Sequence, residues 1–334
     1  MSKLRAGIIG LGVGEQHIAG YQKHPQCEVV ALCDCDQRRL ADARRKYPAM
    51  QHYSNADDLL ADPRIDVVSI ASYDNDHYGQ TRSAILAGKH VFVEKPFCLY
   101  PEEAQALRIL LNDHPQVLLS SNLILRQVPR FVELRRLIAA GELGELFHVE
   151  GDYNYGRLHK ITEGWRGRLD FYSVVYGGAL HMVDLLLWLT GDRVVEVSAV
   201  GNAIASRGSQ FQFDDLVVAL LRFESGMVGK VSANYGCVIP HFHGLTIYGT
   251  KGTFINGPRD AQLYHSRDPG QSPRTITDEY PGLHKGALVY DFVESIVSGG
   301  APLVTMEDVF RSMSVCFAIE QARDRGRAVE VEYL

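Results

Sequence analysis

The chain has 334 residues, 46 % of them apolar, and a formal charge of -6, so it is too long for one ordinary core and has apolar residues enough for two. Acidic and basic residues are dispersed without a long run of either sign, which excludes a general nucleic-acid surface, although a local basic pocket for a phosphate would not show in the total. The longest apolar stretches, such as 179–189 with His181 and Asp184 inside it, fall far short of the roughly 20 residues a membrane span needs, so no membrane partner is expected.

The N-terminal MSKLRAGIIG enters a strand at once and leaves no room for a signal peptide. Six cysteines (27, 33, 35, 98, 237 and 316) contain no CxxC pair and read as reduced thiols of a cytoplasmic protein. Leu4–Ile9 is a strand by composition and runs into Gly10-Leu11-Gly12-Val13-Gly14-Glu15-Gln16-His17 and a helix. Strand, glycine turn and helix together let the backbone approach a pyrophosphate beneath free N–H donors. The third glycine falls one residue earlier than in the usual GxGxxG. The next strand, Cys27–Cys33, ends in Asp34, placed to accept hydrogen bonds from a ribose and to repel a 2′-phosphate, so the motif favours NAD, with NADP as the alternative. Asp36 reads as the cap of the following helix.

Strand 65–71, helix 75–87, strand 90–94, helix 101–112 and strand 116–121 continue the alternation, which predicts a doubly wound parallel sheet. The loop from Ser72 to His77 leaves the carboxyl end of a strand and borders the expected cofactor, although Asp74 or Asn75 serves equally well as a cap. Lys95, locked in front of Pro96, is delivered to the same edge. From Asn122 the pattern changes. A helix over 127–140, a strand at 146–155 and an irregular stretch 156–176 are followed by alternating strands at 194–203, 215–224, 227–235 and 243–248, with a hairpin at Glu224-Ser225-Gly226. The expected organisation is a Rossmann α/β domain over 1–122 and an α+β domain with a large, mostly antiparallel open sheet over 123–334, used for substrate binding and oligomerisation. Residues 258–281 read mostly as loop, and helices return at 285–298 and 306–323.

His181 and Asp184 share one face of an otherwise apolar helix, just after Gly177-Gly178. A lone histidine there is ordinarily a core residue; the diglycine, which allows close approach of a ligand or another backbone, tips the reading toward function. His241-Phe242-His243 has no third ligand at a recognisable spacing and is read as site lining or plain strand, with no metal expected.

The chain resembles the glucose-fructose oxidoreductase and inositol dehydrogenase family, Gfo/Idh/MocA. The resemblance rests on GLGVGEQH, Asp34, Asp74–His77, AGKHV at 87–91, Glu94-Lys95-Pro96, Gly177-Gly178 with His181 and Asp184, and YGTKGT at 248–253. It implies a nicotinamide-dependent oxidoreductase, a homodimer or homotetramer, in which Lys95 contacts the reacting hydroxyl and His181 serves as acid or base. It also implies cofactor contacts from Gly10, Gly12, Val13, Gly14, Asp34, Ser72, His77, Glu94, Lys95 and Asn122. Two departures stand out. The aspartate that many members carry four residues before the histidine is Gly177 here, leaving Tyr176 or Tyr172 to supply a hydroxyl. The usual Thr-Pro ahead of His77 is Ser72-Tyr73.

Aromatic faces suit sugar rings and arginine forks suit phosphate or carboxylate, so Tyr155, Trp165, Arg166, Tyr176, His181 and Asp184 are the substrate candidates. An arginine-rich connector paired with surface carboxylates is an equal alternative, residue by residue. The leading expectation is a nucleotide-sugar dehydrogenase of the UDP-N-acetylglucosamine 3-dehydrogenase type. The alternatives are an inositol or free-monosaccharide dehydrogenase, and an NAD-dependent lyase or glycosidase that recycles its cofactor.

Overall fold

The computed structural model describes residues 3–281 and 284–334. They fall into two compact units, Met1–Ile124 with Leu283–Phe310 and Leu334, and Leu125–Gly282 with Arg311–Tyr333.

The first unit runs β1 (Leu4–Ile9), α1 (Glu15–Lys23), β2 (Cys27–Cys33), α2 (Gln37–Lys46), β3 (Gln51–Tyr53), α3 (Ala56–Ala61), β4 (Val67–Ile70), α4 (His77–Leu86), β5 (His90–Val93), α5 (Pro101–Asp113) and β6 (Leu119–Ser121). The strands form one parallel sheet in the order β3-β2-β1-β4-β5-β6. Val67, Val68, Ile70, Val91, Phe92 and Val93 are completely buried, as helices on both faces of a parallel sheet require. The order reverses between β1 and β4, so the carboxyl ends of β1, β4 and β5 border the place where such sheets receive ligands. Asp36 caps α2 by accepting from the amides of Arg38 and Arg39, as the sequence indicates. The predicted capping by Asp74 or Asn75 does not occur. Those residues form a single 3-10 turn ahead of α4, and Asn75 donates to Asp76 instead. The short β3 and α3, absent from the pattern reading, add the sixth strand.

The second unit contains α6 (Pro129–Ala139), β7 (Leu146–Asn154), α7 (His159–Thr162), a 3-10 turn at Trp165–Arg168, a π-helical turn at Val175–Ala179 and α8 (Leu180–Thr190). It continues through β8 (Val194–Asn202), β9 (Leu216–Phe223), β10 (Val228–Asn234), β11 (Phe242–Gly249), β12 (Thr253–Asn256), β13 (Ala261–Tyr264) and β14 (Arg274–Ile276). Helix α9 (Ala287–Ser298) belongs to the first unit, and α10 (Met306–Arg325) and β15 (Val329–Glu330) complete the chain. The nine strands form one sheet in the order β14-β13-β12-β11-β7-β10-β9-β8-β15, with only β7 and β10 parallel. Its inner face buries Val149, Val231, Leu221, Ala219 and Ile247 and is covered by α8. That helix approaches β7 closely at Gly151, where a Cβ would meet Met182 at 3.2 Å.

Two expectations shift. The stretch 258–281 carries β13 and β14 rather than loop alone. A single boundary after residue 122 becomes an interleaved one, because α9 packs on α1 within the first unit. Gly20 permits that contact, since a Cβ there would lie 2.4 Å from the Gly286 carbonyl oxygen. Among the described residues no helix is long and apolar enough to cross a membrane.

Candidate active site

The glycine turn is tied down from below. Gly10 has φ of +85°, and a Cβ there would sit 2.2 Å from the Ala71 carbonyl oxygen; at Gly14 it would sit 2.4 Å from that of Gly10. Both glycines therefore serve the close passage of β1, β4 and the turn. Gly12 is different, since its nearest neighbour is the Arg39 guanidinium at 3.3 Å, and Val13 beside it is exposed. Among the described residues the amides of Gly12 and Val13 donate to no protein acceptor, and α1 has no side-chain cap. This donor set fits a pyrophosphate. Glu15, the unexpected acid at the helix start, is paired with Lys46 at 2.5 Å.

Asp34 is almost fully buried at the tip of β2. One carboxylate oxygen accepts from the Leu11 amide and the other from the Asp36 amide, both at 2.8 Å, and the Arg39 guanidinium lies 3.9 Å away. The residue thus shapes the glycine turn, and each oxygen keeps a further lone pair for a ribose hydroxyl.

Lys95 follows β5 and is half-buried, and the segment carrying it is pinned on both sides. Before it, Glu94 accepts from His17 Nε2 at 3.2 Å and from Asn122 Nδ2 at 2.7 Å. His17 in turn meets Ser69, which also bonds Tyr21. After it, the Pro96 carbonyl lies 2.6 Å from His77 Nδ1. Burial pushes the Glu94 carboxyl up, but the His17 hydrogen bond, the Lys285 charge and Asn122 outweigh it and hold the group well below the usual carboxylate range. Glu94 and His77, both expected as cofactor contacts, are thus first of all braces for the lysine. His77 Nε2 and Asn122 Oδ1 are buried and make no hydrogen bond among the described residues, so each has an atom left for a ligand. Ser72 donates to Gln80 Oε1 at 2.8 Å. The His17–Ser69–Tyr21 chain escaped the sequence reading, since the only signal for it was a histidine at the end of the glycine turn.

In the second unit, His181 is buried near the start of α8 with its ring stacked on Tyr153 at 5.9 Å and edge-on to His243 at 6.4 Å. Tyr153 also meets Tyr155, Tyr235, His241 and His243 at 5.1–6.1 Å. Strand register explains the gathering: β11 places His243 opposite Tyr153, and β10 places Ala233, two residues before Tyr235, on its other side. Burial pushes the Tyr153 phenol far above its ordinary range, against the pull of Arg166 and Arg157.

The diglycine makes room for side chains rather than for a ligand or a backbone. A Cβ on Gly178 would lie 2.4 Å from the Tyr153 ring, and one on Gly177 would lie 2.2 Å from Tyr172 Oη and 2.6 Å from Tyr235 Oη. Those two hydroxyls are 3.1 Å apart. Of the two tyrosines considered as substitutes for the missing aspartate, Tyr172 stands at the position. Tyr176 packs on Phe171 and Phe317 instead. Asp184 departs from expectation as well: it is fully buried and forms a fork with Arg126 (2.6 and 3.0 Å) and a bond with Ser312 at 3.1 Å. Sharing a helix face with His181 does not make it a substrate contact, because its carboxylate is spent on a buried guanidinium.

Tyr155 stacks beneath the Arg157 guanidinium, and Arg166 lies 4.5 Å over the Trp165 ring and 6.0 Å from Tyr172. Tyr155, Trp165 and Arg166 thus stand with Tyr172 and His241 in one array of rings and cations. Tyr235 escaped the sequence reading; alternation marks its face of the strand but not which strands are neighbours. Among the described residues no cluster of three or more His, Cys, Asp or Glu side chains is arranged to hold a metal ion.

Comparison with known proteins agrees with this layout. Residues 4–121 match the family model "Oxidoreductase family, NAD-binding Rossmann fold", and residues 131–255 match the GFO/IDH/MocA C-terminal domain. The chain is 24 % identical to the myo-inositol 2-dehydrogenase of Thermotoga maritima, over 98 % of this chain and 99 % of that one. It is 25 % identical to the scyllo-inositol 2-dehydrogenase (NAD(+)) of Bacillus subtilis, over 99 % and 97 %. A levoglucosan dehydrogenase solved in complex with NADH superposes with a TM-score of 0.88 at 22 % identity, over 100 % of both chains.

Proposed function

Because the chain belongs to the GFO/IDH/MocA family of NAD-dependent oxidoreductases, we propose that it oxidises a secondary hydroxyl of an inositol or monosaccharide ring. The observation that carries the reading is the wall of Tyr153, Tyr155 and Tyr235 around the buried His181, since stacked rings interspersed with imidazoles suit a polyol whose C–H face is apolar and whose hydroxyls are not. The names of the curated relatives, inositol dehydrogenases among them, support this over the UDP-N-acetylglucosamine-type reading.

NAD, when bound, supplies the hydride acceptor. The amides of Gly12 and Val13 receive its pyrophosphate, and Asp34 accepts from the adenosine ribose. Lys95 and His181 handle the proton: the substrate loses H⁻ from carbon and H⁺ from oxygen, leaving a ketone. Lys95 holds the hydroxyl and His181 acts as the acid or base. The outer sheet face, with Val200, Leu220, Phe147 and Val228 exposed on four strands, is the surface for a homo-oligomer.

The test is near-UV absorbance of reduced nicotinamide as NAD is offered with inositols, free monosaccharides, their acid and phosphate forms, and UDP-sugars. Reduction with a cyclitol or monosaccharide is expected. Reduction with a UDP-sugar alone would restore the nucleotide-sugar reading. Consumption of substrate without net reduction would point to a lyase or glycosidase.

A further inference from the structure

His243 is held from more directions than a packed imidazole needs. Among the described residues β12 pairs with β11 only from Thr246 to Tyr248, so at His243 side chains stand where a neighbouring strand would. The His243 amide donates to Tyr280 Oη at 2.8 Å, and the His243 carbonyl accepts from Asn256 Nδ2 at 2.9 Å. The same Tyr280 oxygen lies 2.7 Å from His243 Nδ1. Both side chains are backed by the fully buried Arg130. Its guanidinium donates to Asn256 Oδ1 at 2.9 Å and to the carbonyls of Gly257 at 2.8 Å, Asp278 at 3.0 Å and Arg259, and it lies 5.3 Å from the Tyr280 ring. The segment carrying Tyr280 is thereby fixed against β11. A histidine that only fills a strand position has no use for the contact at Nδ1.

An amide can only donate, so Tyr280 Oη accepts from it and has its own hydrogen to give. Burial pushes the phenol up to about 12, against the pull of the His243 amide and Arg130, so that hydrogen stays on the oxygen at neutral pH. Nδ1 is the acceptor within its reach. We infer that Tyr280 is a positioning residue, which holds His243 in one orientation and one tautomer, with the hydrogen on Nε2, beside His181. The His243 ring lies 5.4 Å from that of Tyr153 and 6.4 Å from that of His181. An imidazole free to turn would offer this cluster a donor and an acceptor by turns; one with Nδ1 committed meets every partner at Nε2 as a donor. The acid or base at His181 then works beside a neighbour of constant hydrogen-bond sense. The assignment rests on the dehydrogenase reading above and adds the groups that stand behind its acid or base.

The experiment pairs a spectrum with kinetics. In the full chain labelled with nitrogen-15 histidine, nuclear magnetic resonance distinguishes a protonated ring nitrogen from an accepting one, and the His243 and His181 signals are assigned by their loss in His243→Gln and His181→Asn. Wild type should show His243 protonated at Nε2 and accepting at Nδ1. Tyr280→Phe keeps the ring and deletes the hydroxyl; it should release that tautomer and move the His181 signals. With NAD and myo-inositol, scyllo-inositol, glucose or galactose, Tyr280→Phe should lower kcat by about 3- to 10-fold, the range for one neutral hydrogen bond, and leave the KM for NAD unchanged. In the His243→Gln background it should lower kcat no further, because its effect runs through His243. A His243 protonated at Nδ1, a tautomer unmoved by Tyr280→Phe, an unchanged kcat, or losses that multiply in the double variant would overturn the inference and leave the dehydrogenase reading standing. If none of the four compounds reduces NAD, that reading fails instead, and the spectra decide: a fixed Nε2–H form whose release moves His181 supports the inference, and a still His181 ends it. Should Tyr280→Phe not fold, the wild-type tautomer decides.

Discussion

In the first unit the polar side chains are tied to one another and to the backbone: Asp34 holds the Leu11 amide, Glu94 is clasped by His17 and Asn122, and His77 holds the carbonyl after Lys95. In the second unit the equivalent centre is built from rings, with His181 stacked on Tyr153 and two tyrosine hydroxyls bonded to each other beside Gly177. The difference is the one that the proposed function asks for. A dinucleotide has the same phosphates and riboses every time, so it rewards fixed amides and a fixed carboxylate. A ring substrate presents a C–H face and hydroxyls, and it is met by aromatic faces with few directional groups.

Removing the group on which the first unit's braces converge should have the largest effect. Lys95→Met is expected to lower kcat by about 10³-fold or more while NAD affinity, measured by fluorescence titration, stays nearly unchanged. Unchanged turnover would remove Lys95 from the chemistry. Asp184→Ala tests whether the buried Arg126–Asp184 ion pair is structural. It removes the carboxylate that forks Arg126, whose side chain is 3 % exposed, and should cost about 3–5 kcal/mol in denaturant unfolding. A stable variant with raised KM would return Asp184 to the substrate site.

The clasp on Glu94 makes a pH-dependent prediction. Its folded-state pKa lies below the ordinary 4.5, so its contribution to stability is fully present above that pH and is lost as pH falls from about 4.5 toward the folded value. Glu94→Gln should cost about 1–3 kcal/mol at pH 7, and the difference from wild type should narrow on acidification. A gap that is constant down to pH 3 would contradict the clasp. The smallest effects separate two neighbours on one loop. Asp34→Ala should weaken NAD binding by about 10- to 100-fold, whereas Asp36→Ala should cost about 1 kcal/mol of stability through loss of the α2 cap and leave NAD affinity alone.

Much of the first unit was legible in the chain. Period and punctuation mark the βα units, and Asp34 and Asp36 were assigned separate tasks by distance from the glycines, which the hydrogen bonds now show in part: Asp36 caps, and Asp34 anchors the turn. Parallel strands joined by short helices leave few arrangements, so local pattern nearly determines topology. The second unit was legible as strands and as a site helix, but not as a site. Gly177 looked like a missing acid, and only the folded sheet shows Tyr235, 58 positions later in the chain, filling that space. His181 and Asp184 looked like a pair because they share a face, yet one meets Tyr153 and the other Arg126.

Sequence alone therefore determined the two-part architecture, the NAD-type glycine turn with Asp34, and the placing of Lys95 at a strand end, because each depends on residues close together in the chain. Tertiary structure decided that Glu94 and His77 brace the lysine, that α9 joins the first unit, and that phenols occupy the position of an acid. Those outcomes depend on which strands become neighbours and on space left by glycines, and neither is written in any local stretch.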